Sequence, residues 1–62
     1  MSDRFLRLPQ VLAIIPVSRS AWWSGVKKGI YPQPVKLSER VTVWSAAEIA
    51  QFVQKTTEEA RS

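Results

Sequence analysis

The chain has no cysteine and no histidine, and only two glycines. Without cysteine there is no disulfide staple and no thiolate nucleophile, and without either residue the usual zinc ligand sets are missing. A histidine base is absent as well. The two glycines, Gly25 and Gly29, sit inside and at the end of a helical segment, so no glycine-rich phosphate loop exists. The five carboxylates are scattered and offer no pair for general acid–base work. The longest purely apolar run, residues 11–15, is far too short to span a bilayer. Met1-Ser2-Asp3-Arg4 lacks the apolar segment of a secretory signal. These absences predict an intracellular, cytoplasmic chain that is not an enzyme, needs no cofactor or metal and does not enter a membrane.

What remains is one small domain of 62 residues. Its fold must rest on packing, and three Trp, two Phe and one Tyr supply it. The net charge is +4 and unevenly placed. Residues 1–40 carry seven Lys/Arg against Asp3 and Glu39, a balance of +5, while residues 41–62 carry two against three Glu, a balance of −1. Such an asymmetry favours a polyanionic partner over charge that merely aids solubility.

The stretch Ser18-Arg19-Ser20-Ala21-Trp22-Trp23-Ser24-Gly25-Val26-Lys27-Lys28-Gly29 organises the rest. Ser18 is an N-cap residue, and Gly29 is suited to the left-handed conformation that closes a last turn. The roughly 15 Å of helix between them suits the bottom of a major groove. Trp22 and Val26, spaced i, i+4, form an apolar stripe; Arg19, Ser20, Ser24, Lys27 and Lys28 fill most of the remaining circumference. One side wants a core and the other wants an anion.

Upstream, residues 4–8 read as an extended lead-in with Phe5, Leu6 and Leu8 anchored on the core. Pro9 begins a short helix, and Val11, Leu12 and Ile15 give it a buried face. It must end by Ile15, because Pro16 restricts the residue before it. Two short helices joined by Pro16-Val17, the second one basic, form the pattern of a helix-turn-helix. An αα-hairpin used only for packing has the same outline.

Downstream, Pro32 and Pro34 enforce extended backbone. Val35-Lys36-Leu37 and Val41-Thr42-Val43-Trp44 alternate around Ser38-Glu39-Arg40, which predicts a β-hairpin wing with Val35, Leu37 and Val43 or Trp44 facing inward. Ser45-Ala46-Ala47-Glu48 is a capping box opening a third helix, whose stripe is Ile49, Phe52 and Val53 extended by Ala46 and Thr56. Residues 57–62 lack an apolar anchor, and they and residues 1–4 are expected to be flexible. The predicted fold is mainly α with a small β-hairpin: a winged helix-turn-helix of three helices and a two-stranded wing.

Read as a DNA-binding surface, Arg19 stands at the helix end that usually meets base edges, and its fork fits a guanine O6/N7 edge. Ser20 and Ser24 can bond bases or phosphates. Lys27 and Lys28 suit phosphate, and they also complement the helix dipole. Trp22 belongs to the core; Trp23 either packs under the wing or lies against a sugar or thymine methyl. Gly25 signals close backbone approach, either to the first helix or to DNA. Lys36 and Arg40 are placed on the wing to touch phosphates.

Ile15-Pro16-Val17-Ser18-Arg19-Ser20, then Trp22-Trp23, Gly25-Val26-Lys27, Gly29, Tyr31-Pro32, Pro34-Val35-Lys36-Leu37 and Trp44, closely resembles the AlpA-type regulators of phages and integrated elements. These are related to small phage excisionases. The resemblance covers residues 5–53 and implies a MerR-like winged helix-turn-helix. It implies DNA contact through Arg19, Ser20, Trp23, Ser24 and Lys27, with Lys36 and Arg40 on the wing. Where the family often has Gly-Pro-Arg at the wing tip, this chain has Ser38-Glu39-Arg40. The expected partner is double-stranded DNA, bound cooperatively at repeated sites, in a bacterial, nucleoid-associated setting. Transcriptional control and excisionase-type control of recombination need the same surface. The competing class is a protein-interaction module that binds an integrase or another regulatory protein, such as a response regulator.

Overall fold

In the computed structural model, which describes residues 4–61, the extended lead-in is a strand. Chain order is β1 (Phe5–Leu6), α1 (Leu8–Ile14), α2 (Arg19–Lys27), β2 (Val35–Ser38), β3 (Val41–Ser45) and α3 (Ala46–Arg61). The winged helix-turn-helix plan stands, with one addition. The sheet has three antiparallel strands in the order β1-β3-β2. Phe5 pairs with Ser45 and Leu6 with Trp44, and the Ala46 N–H donates to the Arg4 carbonyl at 2.8 Å. β3 is therefore bonded along both edges, which steadies a hairpin that alone would be marginal.

Each helix end has a local cause. At the start of α1, the Arg7 N–H donates to Gln10 Oε1 at 2.8 Å, and Pro9 occupies the first turn. Pro16 forces Ile15 into extended backbone at φ −113°, and a tight turn follows in which the Val17 N–H donates to the Ile15 carbonyl at 2.8 Å. Ser18 Oγ then accepts from the Ala21 N–H at 3.1 Å and opens α2. At the far end Gly29 adopts φ +79°; its N–H donates to the Val26 carbonyl (3.1 Å) while that of Ile30 reaches the Gly25 carbonyl (2.8 Å). That pair of bonds is a Schellman closure. Ser45 Oγ accepts from the Glu48 N–H at 3.3 Å and opens α3.

Every element but β2 contributes to one core: Leu6 from β1, Val11 and Ile15 from α1 and its end, Trp22 and Val26 from α2, Trp44 from β3, Ile49 from α3. Leu8, Leu12, Val17, Tyr31, Ala46 and Phe52 pack around it. The aromatic rings form a continuous chain within this core. Tyr31 stacks on Trp22 with centroids 4.5 Å apart and planes 11° apart, and meets Phe52 edge-on at 5.3 Å. Trp22 meets Trp44 edge-on at 5.7 Å. The Trp44 indole N–H donates to the Pro32 carbonyl at 3.1 Å, whereas that of Trp22 meets no acceptor among the described residues. Packing alone orients Trp22.

Four expectations change. Phe5 is half exposed: it alternates with buried Leu6 in the same strand and so points to the other face. On β2, Val35 and Leu37 are exposed rather than inward, while Val43 and Trp44 on β3 are both buried, so the central strand is covered on both faces. The register shifts between Lys36 and Ser38, which makes Leu37 an extra, bulged residue outside the simple alternation. Residues 57–61, expected to fray, continue α3, where Thr57 Oγ1 donates to the Val53 carbonyl at 2.8 Å and Gln54 Nε2 to Glu58 Oε1 at 3.4 Å; Ser62 and residues 1–3 lie outside the described residues. Finally, the group that approaches Gly25 is the side chain of Tyr31 rather than α1. A Cβ there would overlap the Tyr31 ring.

Gly25→Ala should accordingly destabilise the fold. Helix propensity favours Ala by about 1 kcal/mol, but expelling Tyr31 from its stack costs about 1–3 kcal/mol, as overpacking does. In a Tyr31→Ala background the same substitution should be neutral or stabilising. Chemical denaturation of the four-member cycle measures the sign change. A Gly25→Ala protein as stable as the parent would show that Tyr31 is not held over this glycine.

Candidate nucleic-acid interface

The geometry of α2 separates its two roles. At about 100° per residue, Gly25, Trp22 and Val26 span one buried sector, while Arg19, Trp23, Lys27, Ser20 and Ser24 follow one another over a separate arc of about 140°. Trp22, Gly25 and Val26 are buried, and all five residues of the arc are exposed. Lys28 is exposed at the C-cap. All predicted contact residues on α2 thus reach the surface. The ring of Trp23 lies 5.5 Å from that of Trp44, tilted by 53°, and remains 43% exposed.

Electrostatics at the two ends of this arc differ in sign: Lys27 in the last turn complements the helix dipole, and Arg19 in the first turn opposes it. α2 has no acidic residue in its first turn and begins with Arg19. A cation at a helix N-terminus opposes the dipole by about 0.3–1 kcal/mol. Among the described residues no carboxylate is paired with Arg19, Lys27, Lys28 or Arg40. The positive charge is left open to solvent, and that of Arg19 stands beside the first-turn N–H groups that anions favour.

The wing contributes separately. Lys36 and Arg40 are exposed on the hairpin, Lys36 paired with Thr42 across the strands and Arg40 in the turn. Lys36 Nζ donates to the Glu39 carbonyl at 3.2 Å, so this lysine partly braces the tip on which Glu39 sits. No structural contact joins these two residues to the α2 arc among the hydrogen bonds described; they form a second basic element.

Two residues position the arc without lying on it. Gln33 Nε2 donates to the Val26 carbonyl at 2.9 Å and to the Tyr31 carbonyl at 3.5 Å, which seals the C-terminal end of α2. The Trp44–Pro32 bond fastens the same loop to β3. Sequence reasoning treated Pro32-Gln33-Pro34 only as a helix breaker. A lone glutamine between two prolines was the available signal.

With this geometry in hand, comparison with known proteins is decisive for the family. The family model described as Prophage CP4-57 regulatory protein (AlpA) matches residues 4–57. The chain belongs to the AlpA family. Within curated proteins, it is 31% identical over 51 residues to the uncharacterized protein ORF88 of Enterobacteria phage P4, covering 82% of this chain and 58% of that relative. It therefore spans somewhat under three fifths of the relative's length. No solved structure matches. AlpA proteins are a family of prophage regulators, and among the described residues of this member no helix is long and apolar enough to cross a membrane.

Since α2 carries the arc, its N-cap should be felt in stability. Ser18→Ala is expected to cost about 1 kcal/mol, and Ser18→Gly only a few tenths. Thermal unfolding should show the first as a fall of about 4–8 °C in Tm for a domain of this size. Equal melting of Ser18→Ala and the parent would mean that the cap bond contributes nothing.

Proposed function

We propose that this AlpA-family chain is a sequence-specific double-stranded DNA-binding regulator of a phage or integrated element. It acts without enzymatic activity, in the bacterial cytoplasm and at the nucleoid. The observation that carries this reading is the exposed arc of α2, in which every side chain carries a hydrogen-bond donor and whose only charges, Arg19 and Lys27, are positive. α2 enters the major groove with Arg19 leading toward a base edge; Ser20 and Ser24 bond bases or phosphates, and Lys27 and Lys28 hold the backbone. Lys36 and Arg40 extend the phosphate contact along the wing. By occupying or bending promoter or attachment-site DNA, the protein controls transcription or directs recombination toward excision. The same surface serves both, and cooperative occupation of repeated sites offsets the small footprint of one domain.

A second reading has its own observation. An apolar groove of about 490 Å³ is lined by Leu6, Ile14, Ala46, Ile49, Ala50 and Val53, with Ile14 half exposed. A module that binds an integrase or another regulatory protein would use such a surface. In that case function would survive Arg19→Ala and fail on Ile14→Lys.

Selection of bound duplexes from a random library, followed by salt titration of the winner against a scrambled duplex, tests the DNA reading. An enriched motif and a steep salt slope are expected. Arg19→Ala should relax one base position and cost about 1–3 kcal/mol, and unchanged base preference would remove Arg19 from recognition. Lys27→Ala should weaken all sequences alike and lower the slope by about one unit. If the slope does not change, Lys27 serves its helix end alone.

A further inference from the structure

We propose that Trp23 is the apolar reader of the interface and takes the C5-methyl group of a pyrimidine in the major groove; this rests on the DNA reading of α2. Within the exposed arc, Trp23 lies one turn from Arg19 on one side and one turn from Lys27 on the other, offset by about 40° from each. Its ring is thus bracketed along the helix by the two cations that would hold a duplex. It is also the only apolar side chain of the arc.

Trp23 is not there to fill the core. It belongs neither to the buried cluster nor to the partly buried residues packed around it. Its neighbour Trp22, wholly buried, has that task. Yet Trp23 is not loose. The covered part of its indole rests on Trp44, which is 1% exposed and hydrogen-bonded to the Pro32 carbonyl. A large, mainly apolar ring backed by Trp44 is therefore left 43% open in the middle of a polar and cationic surface. A ring already packed on one side has less freedom to lose on binding than a fully solvated one.

The major groove defines what such a surface can meet. Its base edges present acceptors, donors and a single apolar group, the C5-methyl of thymine. 5-Methylcytosine carries the same group at the same ring position. The donors around Trp23 address acceptors and phosphates, which leaves the methyl for the indole.

The test uses the full chain and the duplex enriched by selection. Each thymine is replaced in turn by deoxyuridine, which lacks only the methyl, and in a parallel arm each cytosine is replaced by 5-methylcytosine. For the parent, one thymine should respond with a loss of about fourfold in affinity, the worth of one buried methyl. In Trp23→Ala that difference should vanish, and in Trp23→Phe, which keeps a ring on Trp44, it should persist in part. Circular dichroism of both variants confirms the fold. A response to demethylation alone assigns the methyl to thymine; a further gain from 5-methylcytosine extends it to any C5-methylated pyrimidine. Specific binding that ignores every methyl would overturn the proposal while leaving the DNA reading intact. So would a methyl effect of unchanged size in Trp23→Ala, or equal weakening of methylated and demethylated duplexes by that substitution. If no duplex is enriched at all, the DNA reading falls and this assignment falls with it.

Discussion

The flat stack of Tyr31 on Trp22, laid over Gly25, ties α2 to the rest of the molecule. The rings can sit 4.5 Å apart only because position 25 has no Cβ. From Tyr31 the contact passes to Phe52 of α3, and from Trp22 through Trp44 of β3 to Trp23. Four ring pairs link helix, loop, strand and helix. At about 0.5–1.5 kcal/mol per pair beyond area burial, they sum to about 2–6 kcal/mol. A single core in a domain this small rarely supplies more than about 3–5 kcal/mol net. The aromatic chain is thus of the same order as the whole stability margin, which is why a chain without cysteine or histidine can fold unstapled.

The stack also decides how α2 is presented. Gly29 reverses the chain so that Tyr31 returns over the helix it has just left. Gln33 then bonds the exposed carbonyl end, and Pro32 accepts from Trp44. All of these ties fall at the C-terminal half of α2. The N-terminal half, with Arg19 at its first position, is held by the Ser18 cap and by the rings of Trp22 and Trp23 on Trp44. A helix fastened at one end and on one side leaves its other end and other side available to a ligand.

Signals confined to a few residues were legible in the sequence. Pro16 ending α1, Ser18 opening α2, Gly29 closing it and Ser45 opening α3 each act through their own backbone or through a bond spanning three or four residues. What could not be read depended on partners distant along the chain. β1 is only two residues long, and nothing in Phe5-Leu6 says that its partner is Trp44-Ser45. The bulge at Leu37 moves one residue out of an alternation that looks regular in the sequence. Gly25 announced a close approach, but the approaching group was a side chain six positions later, brought back by a turn. Trp23 was ambiguous because it is half packed and half open, a state that a choice between core and surface does not contain. The end of α3 is held by Thr57 and by a Gln54–Glu58 bond rather than by apolar burial, so a search for hydrophobic anchors passed over it.

Local rules are broken at four places on or beside α2, and the breaks fall into two kinds. Gly25 weakens a helix interior, and Gly29 takes a backbone conformation rare for other residues. Each is answered within the fold, the first by the Tyr31 stack and the second by the Schellman bonds. Arg19 at the positive end of a helix and Trp23 left 43% exposed have no compensating partner among the described residues, beyond the contact of Trp23 with Trp44. Sequences that specify one structure keep their local choices consistent, and uncompensated exceptions gather where function is carried. Here both fall on the same arc, one turn apart. An acceptor-rich edge would relieve the first and an apolar group the second, and the floor of a duplex major groove presents both, guanine O6/N7 acceptors and thymine methyls.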